Sequence, residues 1–180
     1  MRRIVLAMTA SLLVATANAG ENPAGRTRTG DVGDALEIIM PVAALSGTLI
    51  NKDWEGGKQF GYGLLTTLVA TNGLKAAISK ERPDGRNDDS FPSSHTAVSF
   101  HTATYLQERY GWKFGLPAYV AASYVGYSRA HDEAHDEQDV IAGAVIGYLA
   151  ARYFTTEYRG VEVAPVIGED VVGLTFSYRH

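Results

Sequence analysis

SRAHDEAHDEQD, residues 128–139, is the stretch of this chain that most strongly predicts its fold and its chemistry. It contains an arginine, Arg129, and a histidine, His135, which a carboxylate, Asp139, follows four residues later. Because residues four apart are neighbours on one helix face, Asp139 can hold one ring nitrogen of His135 and make the other more nucleophilic. Arg129 can clamp two oxygens of a phosphate. The stretch therefore indicates a helical site in which a nucleophile stands beside a bound anion.

Two stretches upstream supply the remaining groups of such a site. In KAAISKERP, residues 75–83, Lys75 and Arg82 are seven residues apart, which places two cations on nearly the same face of a continuing helix. PSSH, residues 92–95, opens a predicted helix whose free backbone N–H groups favour an anion. Its first serine adds a hydroxyl donor, and its histidine can deliver a proton. Together the three stretches predict a site that binds a phosphate group and breaks a bond to it.

Each stretch alone also has a commoner interpretation: solvated cations at a helix end, an ordinary helix cap, or an exposed acidic face. A metal site is a further alternative, because His131, His135 and Asp139 recur every four residues, as ligands of zinc or another divalent ion can. Among the other histidines, His101 is predicted to be a structural polar residue, and His180 has no predicted role. The remaining charged residues near these stretches are predicted to lie on the surface: Lys80, Arg86, Asp132, Glu133, Asp136 and Glu137.

The three stretches resemble the motifs of the type 2 phosphatidic acid phosphatase and vanadium haloperoxidase superfamily. The family pattern is K-x6-R-P, then P-S-G-H, then S-R-x5-H-x3-D, and the first and third motifs match here without a gap. The second motif departs from the pattern, since Ser94 stands where glycine is usual. The resemblance spans Lys75 to Asp139, a little over a third of the chain.

The resemblance implies a phosphatase that hydrolyses phosphomonoesters, lipid phosphates or pyrophosphates. It implies that His135 is the nucleophile that forms a phosphohistidine, that Asp139 orients it, and that His95 is the general acid and then the base. It implies that five residues bind the phosphate: Lys75, Arg82, Ser93, Ser94 and Arg129. No metal or other cofactor is implied, and vanadate is expected to inhibit as a phosphate mimic. A vanadate-dependent peroxidase is an alternative that ranks lower, because such members of the superfamily are much larger.

The hydrophobic pattern around the motifs predicts an all-α bundle of about five helices, and the resemblance implies that this bundle is haloperoxidase-like. The helical domain is expected to span 34–160, after a flexible Gly- and Thr-rich segment at 20–33. Residues 161–180 alternate apolar and polar side chains and predict a short C-terminal β-hairpin. The predicted helices cover 34–51, 54–80, 92–109, 114–129 and 136–154.

The first nineteen residues have the pattern of a secretory signal peptide. Arg2 and Arg3 precede an apolar run, and Ala17-Asn18-Ala19 fits a cleavage site, so we expect export to the periplasm or the medium of a bacterium. The whole chain has 16 basic and 20 acidic residues, and removing 1–19 makes the balance more acidic. This net negative charge argues against a nucleic-acid partner, because the chain lacks the basic surface that binds phosphate backbones. The absence of cysteine excludes disulfides and thiol chemistry.

The apolar segments are shorter than typical membrane spans. The uncharged runs at 38–51 and 140–151 fall below the roughly twenty residues that a span needs. We therefore expect the segments 38–50 and 114–127 to form the core, with peripheral membrane contact left open. The expected partner is a phosphorylated small molecule or lipid, and the sequence makes no prediction about the oligomeric state.

Overall fold

The computed structural model describes residues 27–158, 161–167 and 172–178, so the predicted signal peptide at 1–19 lies outside the described residues. Five helices follow one another in the predicted order, which confirms the all-α bundle. They are α1 (Arg28–Ile50), α2 (Trp54–Ala77), α3 (Ser94–Tyr110), α4 (Trp112–His131) and α5 (Glu137–Phe154). Beyond Tyr158 the backbone forms β1 (Val161–Ile167) and β2 (Val172–Tyr178), which run antiparallel. The connection between the two strands, residues 168–171, lies outside the described residues, so the hairpin tail predicted at 161–180 stays a prediction. The site described below lies wholly within the helices and their loops.

Helix α3 is the central element, because it packs against each of the other four helices. Its buried side chains are mostly small or hydroxyl-bearing, and two glycines of α5, Gly143 and Gly147, lie directly on its backbone. A Cβ at Gly147 would overlap the carbonyl oxygen of Ala97, and one at Gly143 would overlap that of Ser93. Small residues at these points allow the two backbones to approach closely, which sets the distance between the ends of α3 and α5.

We expect Gly147→Ala to destabilise the bundle by about 1–3 kcal/mol, the usual range for overpacking. The new methyl group would have to displace backbone, which cannot yield as a flexible side chain would. Gly61→Ala is the matched control, because Gly61 lies in α2 with nothing within 4 Å of its added Cβ. That control is expected to be neutral or stabilising by up to about 1 kcal/mol, since alanine favours helix. Thermal unfolding of both variants makes the comparison, and equal midpoints would contradict the close-packing interpretation.

The exterior of the bundle is apolar, whereas the interior is small and polar. In α1 the side chains of Ile38 and Ile39 are 65% and 57% exposed. Fully buried positions include Thr67, Thr71 and His101. The expectation that 38–50 and 114–127 form the core is therefore wrong, because most of their large apolar side chains face outward. We call the exposed large apolar side chains of four helices the apolar belt: Val32, Ile38, Ile39, Val42, Leu45, Leu49 and Ile50 of α1; Trp54, Tyr62, Leu65, Leu68 and Val69 of α2; Trp112, Phe114, Leu116, Val120 and Tyr127 of α4; Ile141, Val145, Tyr148, Leu149 and Tyr153 of α5.

Charged residues are confined to the two ends of the bundle. No Asp, Glu, Lys or Arg occurs in 38–50, 59–74, 96–107, 114–128 or 140–151. At 1.5 Å per residue these stretches are roughly 18–24 Å long. Within the described part of the chain, α1 is the single helix long and apolar enough to cross a membrane by length and composition.

The first helix begins at Arg28, so residues 28–33 of the predicted flexible segment are helical instead. Thr27 caps this helix by accepting a hydrogen bond from the backbone N–H of Gly30, at 3.1 Å. Gly30 and Gly33 pack against α4 and the loop that follows it, where added Cβ atoms would overlap the side chains of Asp132 and Ser128. The composition had predicted that this segment is flexible. Its glycines instead allow close packing between α1 and α4.

Candidate active site

The eight predicted site residues all lie at one end of the bundle, where the termini of five helices meet. The end of α2, the loop after it, the start of α3, the end of α4 and the start of α5 supply them. Ser93 at the start of α3 donates its backbone N–H to the carbonyl of Asp139 in α5, at 3.0 Å. The residues are Lys75, Arg82, Ser93, Ser94, His95, Arg129, His135 and Asp139.

A small polar cavity of about 110 Å³ opens at this end, and Arg82, His95 and Arg129 line it. The other lining residues are Gly30, Asp34, Arg86, Asp132 and Ala134. In the part of the chain that the structure describes, the buried Nε of Arg82 has no hydrogen-bond partner. A buried guanidinium donor left unpaired costs free energy, so this cavity fits an oxyanion that would accept from it.

Lys75 and Arg82 do not share a helix face, which corrects the prediction from their spacing. Helix α2 ends at Ala77, and the loop that follows folds back on itself. The backbone N–H of Arg82 donates to the carbonyl of Asn87, and Nζ of Lys75 donates to the carbonyl of Asp89 at 2.6 Å. The loop fold, and not the helical period, therefore places these two cations at the same end of the bundle.

The start of α3 is capped by Ser93, which is fully buried. Its hydroxyl accepts from the backbone N–H of Thr96 at 3.4 Å and shares a 3.0 Å hydrogen bond with the hydroxyl of Thr96. The first bond within this helix runs from the N–H of Ala97 to Ser93, which leaves the amides of Ser94 and His95 at the helix end. Ser94 is not among the residues of positive φ, so this backbone does not require the usual glycine.

His135 lies in the loop between α4 and α5 and is almost fully buried. Its Nδ1 is 2.7 Å from the carbonyl oxygen of Ser90, so Nδ1–H donates there and Nε2 carries the lone pair. The prediction assigned this orienting role to Asp139, but its Oδ2 lies 3.9 Å from Nδ1, beyond hydrogen-bond distance. Burial, with the nearby charges of Arg82 and Lys75, lowers the pKa of His135 to about 4, so the ring is neutral at pH 7.

Asp139 instead holds a buried network that supports Ser90. Its carboxylate accepts from the hydroxyl of Ser90 at 2.5 Å, from Nζ of Lys80 at 2.7 Å and from the backbone N–H of Asp136 at 3.1 Å. Lys80 also pairs with the carboxylate of Asp136, at 2.9 Å. Asp139 therefore acts on His135 through Ser90. The prediction that Lys80 lies on the surface is wrong. The sequence carries no signal for its contact with Asp139, because the fold of the loop creates that contact.

Helix α1 adds two carboxylates that the motifs do not contain. Oδ1 of Asp34 lies 2.7 Å from Nη1 of Arg129, whose Nη2 donates to the carbonyl of Gly30 at 3.0 Å. Oε2 of Glu37 lies 3.1 Å from Nε2 of His95. Acidic residues at the start of an apolar helix resemble an ordinary solvated turn, which is why the sequence analysis missed them.

The alternative prediction of a metal site required His131, His135 and Asp139 to lie on one face of one helix. Helix α4 ends at His131, and Glu133 in the following turn has a φ of 54°, so the three residues are not on one helix. Within the described residues, no group of three His, Asp or Glu side chains is arranged to hold a metal ion.

Two of the four acids predicted as a solvated face have structural contacts instead. Asp132 accepts from the hydroxyl of Thr27 at 2.5 Å, which fastens the start of α1. Asp136 caps α5.

Cations and two histidines meet at one end of this helical bundle, where Arg82, His95 and Arg129 line a small cavity. This arrangement defines a class of phosphate-handling proteins, and comparison with known families agrees. The PAP2 superfamily model matches residues 56–160, more than half of the chain. The chain therefore belongs to the PAP2 superfamily, and it is a phosphatase of the PAP2 type.

Named relatives and a solved structure support this assignment. The lipid A 4′-phosphatase of Helicobacter pylori is 28% identical over 167 residues, 83% of this chain and 84% of that protein. The lipid A 1-phosphatase of Porphyromonas gingivalis is 32% identical over 109 residues, 59% of this chain and 23% of that protein. The crystal structure of LpxE from Aquifex aeolicus shares the fold, with a TM-score of 0.63 and 22% identity over 74% of this chain and 87% of that one.

Proposed function

We propose that this phosphatase hydrolyses the phosphate ester of a membrane lipid through a phosphohistidine on His135. The observation that carries the proposal is the neutral, buried His135 near Arg82, which lines the polar cavity at one end of a bundle with an apolar exterior. Two similar proteins are lipid A phosphatases by name, which supports a lipid phosphate as the substrate class.

In the proposed mechanism the cations and the helix end bind the phosphoryl oxygens. Arg82 and Arg129 donate from their guanidinium groups, Lys75 adds a third positive charge, and the amides of Ser94 and His95 point from the start of α3. The hydroxyl of the remaining predicted phosphate ligand, Ser93, is engaged in capping, so its contribution is to hold these amides in place.

The chemical steps follow from the two histidines. Nε2 of His135 attacks phosphorus in line, while Nδ1–H stays on the Ser90 carbonyl, and the bond to the leaving oxygen breaks. His95 gives that oxygen a proton, so an alcohol leaves. Neutral His95 then takes a proton from water, the resulting hydroxide attacks the phosphohistidine, and inorganic phosphate and free His135 are regenerated. The residues complete this cycle without a metal or other cofactor.

The apolar belt supports a proposed site at a membrane surface. An exterior of large apolar side chains with charges only at the two ends fits contact with the acyl chains of a bilayer. The charge-free stretches, at roughly 18–24 Å, are shorter than its hydrocarbon core of about 30 Å. With the belt among the acyl chains, the cavity lies close to the headgroups, where the phosphate of a lipid is found. Together with the predicted signal peptide, this supports a location in the bacterial envelope, reached by export.

A substrate panel with the detergent-purified protein tests the proposal. We expect phosphate release from lipid A or phosphatidic acid in mixed micelles to exceed that from the water-soluble ester glycerol phosphate by at least about tenfold in kcat/KM, since the belt holds the lipid at the site. Release should persist in EDTA and fall with orthovanadate. Equal rates on both ester types would refute the lipid assignment, and no release from any ester would refute the phosphatase.

A further inference from the structure

Glu37 of α1 contacts the proton-transfer histidine, although no motif includes it. Its Oε2 lies 3.1 Å from Nε2 of His95, and both side chains are partly buried, at 23% and 37% exposure. Helix α1 precedes residues 56–160, the part of the chain that the family model matches. We propose that Glu37 is a positioning residue that fixes the ring and charge of His95 for proton transfer. The proposal rests on the proposed function, because it assigns a partner to its general acid.

The contact distance determines which nitrogen of His95 carries the transferable proton. When Glu37 is ionised, the hydrogen between its Oε2 and the ring nitrogen 3.1 Å away belongs to the ring, so Nε2–H donates to Glu37. The proton that moves is then the one on Nδ1, at the other side of the ring. His135 has the opposite arrangement, with Nδ1 held and Nε2 reactive.

The two histidines are also held by partners of different charge. His135 must be unprotonated to attack, and it is held by the neutral carbonyl of Ser90. His95 must be protonated to act as an acid, and its partner is Glu37, whose ionised form favours the imidazolium. Burial opposes this form, since it lowers the pKa of His95 to about 4 and raises that of Glu37 to about 7. The choice of partner therefore matches the task of each ring.

The charges that face His95 make a carboxylate necessary. Burial is the main factor that opposes a positive charge on the ring, and Arg129 of α4, Arg82 of the following loop and Lys75 of α2 add to it. Asp34 of α1 favours it, but its Oδ1 is 2.7 Å from Nη1 of Arg129 and 3.9 Å from Nε2 of His95. Glu37 is thus the carboxylate in hydrogen-bond contact with the general acid, whereas Asp34 pairs with Arg129.

During the reaction the proposed role keeps protons balanced. Protonated His95 gives its Nδ1 proton to the leaving oxygen as the bond to phosphorus breaks, and Nε2–H stays on Glu37. The ring becomes neutral, takes a proton from the attacking water at Nδ1, and returns to its starting state. Burial raises the pKa of Glu37 to about 7, so the ionised form that stabilises the protonated ring before the first step and after the second is favoured above that pH.

The test compares two esters that differ in how much they need a general acid. Dodecyl phosphate has a poor leaving group, whereas a nitrophenyl phosphate bearing a dodecyl chain has a good one. We expect Glu37→Gln to lower kcat/KM for the dodecyl ester by about 10–100-fold, within the range for general acid catalysis, and for the aryl ester by less than about threefold. Glu37→Asp, which keeps the charge, should recover part of the loss. Asp31→Asn, an exposed acid on the same helix, is the control and should change neither ester.

The outcomes separate this proposal from the proposed function. His95→Ala is the reference and should show the same dependence on the leaving group. If it does and Glu37→Gln shows none, or equal losses on both esters, the positioning role is overturned while the phosphatase mechanism stands. If His95→Ala itself shows no dependence, the general-acid assignment fails and the role of Glu37 fails with it. Should Glu37→Gln not fold, Glu37→Asp against Asp31→Asn gives the same comparison, and an equal effect on both esters overturns the role.

Discussion

His135→Asn is expected to lower kcat by about 10⁴–10⁶-fold, the range for loss of a nucleophile that acts with its partners as a unit. The asparagine amide nitrogen can occupy the position of Nδ1 and keep the 2.7 Å hydrogen bond to the carbonyl of Ser90. The substitution removes only the Nε2 side of the ring. Binding of orthovanadate should therefore persist, and the unfolding midpoint at pH 7 should change little. Single-turnover phosphate release and trapping of acid-labile phosphoenzyme measure the loss, and activity within tenfold of the wild type would contradict the nucleophile assignment.

The pKa of His135 gives the same variant a second signature. Burial and the cations hold that pKa at about 4, below the value of about 6.5 for an unfolded chain. Between these values the unfolded chain binds the proton and the folded one does not. The stability that this site contributes is fully present above pH 6.5 and is lost as the pH falls toward 4. Between pH 7 and 5 the thermal unfolding midpoint should thus fall further in the wild type than in His135→Asn. In the pH–rate profile of the wild type, the acid limb that this ring causes should lie near pH 4.

Lys80→Met is expected to reduce both stability and activity although Lys80 belongs to no motif. Asp139 is fully buried, and its carboxylate would lose the ammonium group 2.7 Å away. Removing one partner of a buried ion pair costs about 3–5 kcal/mol, and the partial exposure of Lys80 lowers our expectation to roughly 2–4 kcal/mol. The uncompensated carboxylate would also loosen Ser90, so we expect kcat to fall by at least about tenfold.

A double variant separates the charge effect from the loss of the side chain. Lys80→Met with Asp139→Asn removes both charges and keeps a hydrogen-bonding group near the Ser90 hydroxyl. Its unfolding midpoint should lie above that of Lys80→Met alone, whereas its kcat should stay low. A matched surface change, Lys58→Met in the exposed pair with Glu55, should alter neither quantity. If Lys80→Met behaves like Lys58→Met, the buried network does not support the site.

The sequence predicted the five helices and the convergence of the three motifs, because both depend on local patterns. All five predicted helices exist, and the residues at the three motifs meet at one end, since the motifs sit at helix ends that a bundle brings together. The common face of Lys75 and Arg82 was wrong, because the helix stops at Ala77 and tertiary hydrogen bonds direct the loop. The contact of Lys80 with Asp139 depends on that loop and has no local signature.

The direction of the apolar faces could not be predicted from composition. Segments such as 38–50 combine small residues on one face and large apolar residues on the other, so total apolarity does not say which face is buried. Ala44 is buried and Leu49 is exposed, the reverse of the order that side-chain size would give in water. The orientation becomes understandable only when the surrounding medium is taken to be apolar as well.

The small, polar interior described above has a thermodynamic consequence. In a bilayer, separating the helices would move little apolar surface into water, so the hydrophobic effect contributes little to their association and the heat capacity change should be small. Cohesion between α3 and α5 then rests on dispersion contacts at Gly143 and Gly147, where the backbones touch. With the proposed placement in a bilayer, the two glycines therefore hold α3 and α5 together, while the large exposed side chains contact the lipid.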